Sequence, residues 1–115
     1  MADSELDLVR GTLDLLILKA LAAGGLHGYA LSKWVRAASR QMLNVEDRAL
    51  YVALHRLEAR KHVKGRWQLT DAGRRVKRYE LTAAGEKRLA ADTSQWDRYV
   101  QAMTYVLHTP APEGT

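Results

Sequence analysis

Ten Lys and Arg residues fall between Arg48 and Arg78, and only two acids, Glu58 and Asp71, fall among them. The rest of the chain carries eight basic residues and eleven acids, so a net charge of +5 conceals a segment at +8 beside a remainder at −3. Cations gathered in this way do one kind of chemistry well: they displace the counterions of a polyanion. A solvated basic face is the plainer reading of such a run, and charge alone does not separate the two. What separates them is which side chains share a surface with the cations.

Helical spacing from Asp47 to Arg60 or Lys61 puts Leu50, Ala53, Leu54 and Leu57 on one stripe. At the helical angle of about 100° per residue, Arg48, Val52, His55 and Ala59 lie opposite, with Tyr51 and Arg56 flanking. This outward face is nearly free of acids, and Val52 and Ala59 are small enough for close approach. Arg48 and His55 offer donors to base edges, and the Tyr51 hydroxyl can donate to a phosphate. Half-buried packing of Tyr51 and His55 is the alternative that spacing leaves open. A second cluster, Arg74, Arg75, Lys77 and Arg78, can neutralise phosphates or enter a narrow minor groove.

Other chemistries find less support. The 115 residues include no cysteine, no Gly-rich phosphate loop and no recognisable nucleophile–base pair, so no enzyme activity is expected. His55, Glu58 and His62 could share a helix face but match no standard short ligand motif, so neither a metal nor a cofactor is expected. Apolar runs such as Leu15 to Leu18 are far short of a membrane span, and Met1-Ala2-Asp3-Ser4-Glu5 does not read as a leader. Glu86, Asp92 and Asp97 interrupt any membrane-binding face on the last helix. A cytoplasmic protein is expected, which the absence of cysteine suits.

The elements that must position these residues follow from periodicity. Thr12 can cap a first helix whose apolar residues occupy two stripes, Leu13, Leu16, Ile17, Ala20 and Leu21 on one and Leu15, Leu18 and Ala22 on the other. Both sides of it are therefore expected to be covered, and Gly24-Gly25 ends it. A second helix from about His27 to Ser39 is expected to bury Leu31, Trp34, Val35 and Ala38. After the third helix the period changes to two: Val63, Gly65, Trp67 and Leu69 alternate with Lys64, Arg66 and Gln68 as a half-buried strand. Val76 to Leu81 reads as its partner.

Two similar phrases flank that partner, and they do different work. Leu69-Thr70-Asp71-Ala72-Gly73 is a hairpin tip, where Asp71 and Gly73 supply turn chemistry. Leu81-Thr82-Ala83-Ala84-Gly85 instead starts a helix, with Thr82 as its cap. In that helix Leu89, Thr93, Trp96, Val100, Met103 and Leu107 recur at coiled-coil spacing, widened by Tyr99, Ala102 and Val106. The fold class is therefore mainly α with a small β-hairpin. A winged helix-turn-helix DNA-binding domain occupies residues 1–81, a long C-terminal dimerisation helix residues 82–108 and a disordered tail residues 109–115.

The chain resembles the short-armed members of the PadR family of bacterial transcriptional regulators. The residues that carry the resemblance are GTLDLLILKAL at 11–21, LHGYALSKWV at 26–35, ALYVALHRLEAR at 49–60 and GRRVKRYELTAAG at 73–85, in the family's order. It spans about Leu8 to Leu107. The resemblance implies a dimeric repressor in which the helix holding Leu50-Tyr51 reads DNA, the hairpin is the wing, and the first and last helices form the dimer. It also implies, from several members, release of DNA by small aromatic or lipophilic compounds. Three positions depart from the family pattern: Ala49 stands for Ser or Thr, Val52 for Pro, and Lys61 for a helix-ending glycine. Loss of a hydroxyl at Ala49 removes a phosphate donor, and Lys61 bears on how the chain enters the wing.

Duplex DNA, a second copy of the chain and a small-molecule effector are the expected partners, without a membrane. The DNA-binding set is Arg48, Ala49, Tyr51, Val52, His55, Arg56, Arg74, Arg75, Lys77 and Arg78. The dimer set is Leu13, Leu16, Ile17, Leu89, Trp96, Val100, Met103 and Leu107. Trp96, Tyr99 and Met103 occur twice around a two-fold axis, where aromatic faces can line a space for a flat ligand; simple interface packing of Trp96 is the alternative. A reading from a different class is a winged-helix adaptor whose basic hairpin binds an acidic protein.

Overall fold

Three helices come first. In the computed structural model, which describes residues 11–113, α1 spans Thr12–Leu21, α2 Gly28–Ala38 and α3 Asp47–Ala59. Thr12 is the first helical residue of α1 rather than its cap; Gly11, at φ 85°, holds the cap position. Ile17, Leu18 and Leu21 of α1 meet Leu31 and Val35 of α2 and the stripe Leu50, Ala53, Leu54 and Leu57 of α3 in one core. Trp34 departs from expectation: it is 40% exposed, because the buried stripe of α2 is Gly28, Leu31 and Val35, from whose centre Trp34 is turned by about 90°. Ala38, the last residue of α2, is likewise exposed.

The exit from α3 shows how Lys61 replaces a glycine. Lys61 takes the left-handed conformation itself, at φ 64°. The His62 amide donates to Leu57 O at 2.9 Å and the Lys61 amide to Glu58 O at 3.0 Å, the paired bonds that close a helix C-terminus. A side chain in that conformation costs roughly 1–2 kcal/mol, part of which glycine returns through its freer unfolded chain. Lys61→Gly is therefore expected to stabilise the protein by about 0.5–1 kcal/mol, read as a higher midpoint in urea.

The sheet has three strands, not two. β1 (Leu26–His27), β2 (Val63–Leu69) and β3 (Arg75–Leu81) are antiparallel in the order β1-β3-β2. β1 pairs Leu26 with Tyr79 and His27 with Arg78; two residues are too few to show a period, which is why alternation did not reveal it. Thr70 to Arg74 forms the tip. Gly73 sits at φ 82°, the Gly73 amide donates to Thr70 O, and the Arg74 amide donates to Thr70 Oγ1 at 3.1 Å. The side chain that organises this turn is thus Thr70, where Asp71 was expected.

The second phrase does cap a helix. α4 spans Ala83–Leu107, and Thr82 Oγ1 accepts from the Gly85 amide at 3.0 Å while donating to Lys61 O at 2.7 Å. The Thr82 amide donates to His62 O, so the end of α3, the wing and the start of α4 share one junction. α4 is about 37 Å long at 1.5 Å per residue. Only its first turns rest on the core, through Gly85 and Leu89, and from Thr93 onward every residue is exposed. Residues 109–113 form no helix or strand. The beginning of the family-like segment at Leu8, the reading of the extreme N-terminus and the end of the tail fall on residues 1–10, 114 and 115, outside the described residues.

Candidate nucleic-acid interface

α3 presents Arg48, Ala49, Tyr51, Val52 and His55 to solvent, as the helical spacing requires once its Leu stripe is buried. Tyr51 is both packed and exposed. A Cβ on Gly28 would come within 2.6 Å of the Tyr51 hydroxyl oxygen, so the phenol lies against the first turn of α2, while the residue stays 49% accessible. The turn between β1 and α2 needs a residue without a side chain at this point, and in return it fixes the direction of the phenol. His55 has no packing role of this kind and is exposed.

Arg56 is placed otherwise than expected. Its Nε donates to Asp14 Oδ2 at 3.1 Å and its Nη2 to Asp14 Oδ1, and Arg60 lies 3.9 Å from the same carboxylate. The hydrogen bond to Asp14 raises the Arg56 pKa against the opposing effect of burial. Arg56 is on the flank of α3 that faces α1, and an acid within reach captures it. Its guanidinium ties two helices together instead of facing a groove.

The wing cations divide by height. Arg74 and Arg75, at the tip, make no ion pair among the described residues. Lower down, Lys77 Nζ donates to Glu58 Oε1 at 3.0 Å, which raises the lysine pKa. Arg78 lies 3.8 Å from Glu80, which also takes Arg66 at 3.3 Å. Burial pushes the Tyr79 phenol up, with Lys77 opposing. Glu58 and Glu80 thus engage three of the cations at the base of the wing, while Arg74 and Arg75 at its tip carry no ion partner among the described residues.

Several residues escaped the reading of the sequence. Trp67 and Leu69, expected on the covered face of a half-buried strand, are 59% and 72% exposed, because β2 outruns the helices beneath it. His55, Glu58 and His62 are not brought together as a ligand set: Glu58 holds Lys77, and no group of His, Asp and Glu among the described residues could hold a metal ion. Among the expected dimer residues, Ile17 is fully buried in the chain's own core and has no surface to offer a second copy. Leu13, Leu16 and Leu89 are partly buried beside it. Trp96, Val100, Met103 and Leu107 are uncovered, and the Trp96 and Tyr99 ring centroids lie 6.1 Å apart. No helix among the described residues is long and apolar enough to cross a membrane.

This arrangement has counterparts among known proteins. In fold, the chain is similar to a PadR family transcriptional regulator from Eggerthella lenta, with 28% identity and a TM-score of 0.77 over 88% of this chain and 86% of that one. A transcriptional regulator from Clostridium thermocellum is 26% identical, with a TM-score of 0.77 over 84% and 90% of the two chains. Bacillus subtilis PadR, solved in complex with operator DNA, shares the fold at 22% identity and a TM-score of 0.65, over 93% of this chain and 54% of that one. The model of the transcriptional regulator PadR-like family matches residues 17–91. With its winged-helix fold, its long C-terminal helix and a match over most of its length, the chain belongs to the PadR-like family of transcriptional regulators.

Proposed function

We propose that this DNA-binding transcriptional regulator is a homodimeric repressor, each protomer placing α3 in a major groove and its wing on the flanking backbone. The observation that carries the reading is the exposed, acid-poor face of α3 beside a wing that carries Arg74 and Arg75, free of ion pairs among the described residues, at its tip. Arg48 and His55 are the donors that would meet base edges, Tyr51, Arg74 and Arg75 those that would meet phosphates. The fold it shares with Bacillus subtilis PadR, which was solved in complex with operator DNA, is compatible with duplex DNA as the partner. The second copy is inferred from α4, whose apolar stripe from Trp96 onward is left uncovered by the other described residues. Leu13 and Leu16 of α1, only partly buried, would join that interface.

The pair Trp96 and Tyr99 would occur twice about the two-fold axis, giving a flat aromatic compound surfaces to stack on. A ligand there would alter the angle between the two α3 helices. Half-sites about 34 Å apart make operator binding sensitive to that angle. The test is a gel shift with a duplex selected from random oligonucleotides, repeated across salt concentrations. Affinity should fall with a slope near −0.9 per neutralised phosphate, and a planar phenol or dye that perturbs Trp96 fluorescence should weaken the shift. A shift insensitive to salt would contradict the DNA reading; fluorescence changes without loss of the shift would contradict the effector.

A further inference from the structure

Opposed residues of an antiparallel pair point to the same face of the sheet. The register Val63↔Leu81, Gly65↔Tyr79, Trp67↔Lys77 and Leu69↔Arg75 therefore lays out a single face of the wing. Its inner end, Val63 and Tyr79, is in the core, and Lys77 bridges it to Glu58 of α3. Its outer end, Trp67 and Leu69, thus looks toward the side on which α3 lies. Gly65 makes room for this: a Cβ there would be 2.3 Å from Lys77 Cε and 3.0 Å from Glu58 Oε2. The Arg75 guanidinium stacks 4.6 Å from the Trp67 ring centroid. On the opposite face the partners are polar, Arg66 with Glu80 and Gln68 with His27.

An exposed Trp beside an exposed Leu at the end of a strand is a liability in water, and natural sheets avoid it. A second copy of the chain is a poor cover, because a two-fold contact here would set Arg74 and Arg75 against their own copies. The cover that fits is anionic and apolar by turns. A nucleic-acid backbone is both, phosphate alternating with sugar. An Arg stacked on indole keeps its in-plane N–H edge free for a phosphate while the ring covers the sugar.

We propose that Trp67 and Leu69, with Arg75 laid on the indole, are a duplex-DNA contact of the wing, an apolar ledge that packs on the minor-groove wall beside the site taken by α3. This rests on the DNA-binding reading above. Minor-groove proteins use apolar side chains in this way together with cations. Trp67 and Leu69 supply affinity without releasing counterions, which distinguishes them from Arg75 and the other cations around them.

The experiment measures binding to the selected duplex by wild type, Trp67→Ala, Trp67→Phe and Arg75→Ala. Trp67→Ala should raise Kd by about ten-fold with the salt slope unchanged, while Arg75→Ala should lower the slope by about one unit. Trp67→Phe should recover most of the loss. Because the chain has no cysteine, Leu69→Cys provides a single thiol, which DNA should protect from maleimide, whereas Arg66→Cys on the opposite face should stay reactive. Wild-type binding with unchanged Kd in Trp67→Ala and an unprotected Leu69→Cys thiol overturns the ledge and leaves the DNA reading standing. A changed sedimentation coefficient for Trp67→Ala without DNA assigns the ledge to a second copy and also overturns it. Failure of the wild type to bind any duplex overturns both. If Trp67→Ala lowers the melting temperature, protection of the Leu69→Cys thiol decides alone.

Discussion

Val100→Asp combined with Met103→Asp is expected to yield a protein that sediments as a single chain and no longer shifts operator DNA where the parent does. Val100 and Met103 are 40% and 42% exposed on a helix that projects beyond its own core. In a two-fold dimer the pair of substitutions places four carboxylates in an apolar seam, each costing several kcal/mol unless it is paired. Operator binding falls with the dimer, because a lone protomer grips one half-site and loses the effective concentration that joins the two. The loss should exceed about a hundred-fold in apparent affinity. Sedimentation and gel shift on the same samples check it. Aspartate variants that still sediment at twice the chain mass would place the dimer elsewhere.

The second large effect belongs to the junction of α3, wing and α4. A Cβ on Gly85 would be 2.1 Å from the carbonyl oxygen of His62 and 2.7 Å from Leu81 Cδ1. The first of these is backbone, held by the Thr82 amide and hydroxyl, so it cannot swing aside. Gly85→Ala should therefore lose about 2–3 kcal/mol net, overpacking outweighing the roughly 1 kcal/mol that alanine gains as a helix former. Melting followed by circular dichroism should show a midpoint lower by about 10–20 °C. An unchanged or higher midpoint would mean that α4 can shift on its base at no cost. The arm would then not be rigidly coupled to the reading helix.

The Leu stripe of α3, the Thr82 cap and the hairpin tip were legible from sequence for a common reason: each is decided within a few residues. A helical face follows from four positions, and a cap from one hydroxyl and the amide three residues on. What was not legible depends on length and on distant partners. Trp67 and Leu69 alternate like covered residues, but nothing in their spacing says that the strand runs past the helices. Arg56 is a flanking cation by spacing, and only the tertiary approach of Asp14, 42 residues away, turns it inward. Ile17 and Leu16 look equivalent on a doubly apolar helix, and packing alone decides which one is fully enclosed. The strand β1 is invisible because its two residues pair with β3 rather than with a neighbour in sequence.

That α3 reads the sequence while the wing tip holds the backbone is tested most directly by one ratio. For wild type, Arg48→Ala and Arg74→Ala, Kd is measured on the selected duplex and on random duplex at several salt concentrations. Arg48→Ala should lose about 1–3 kcal/mol of discrimination between the two duplexes. Arg74→Ala should weaken both alike, keep the ratio and lower the salt slope by about one unit. Equal weakening of selected and random duplex by Arg48→Ala, with the ratio intact, would contradict the assignment of that face of α3 to base reading.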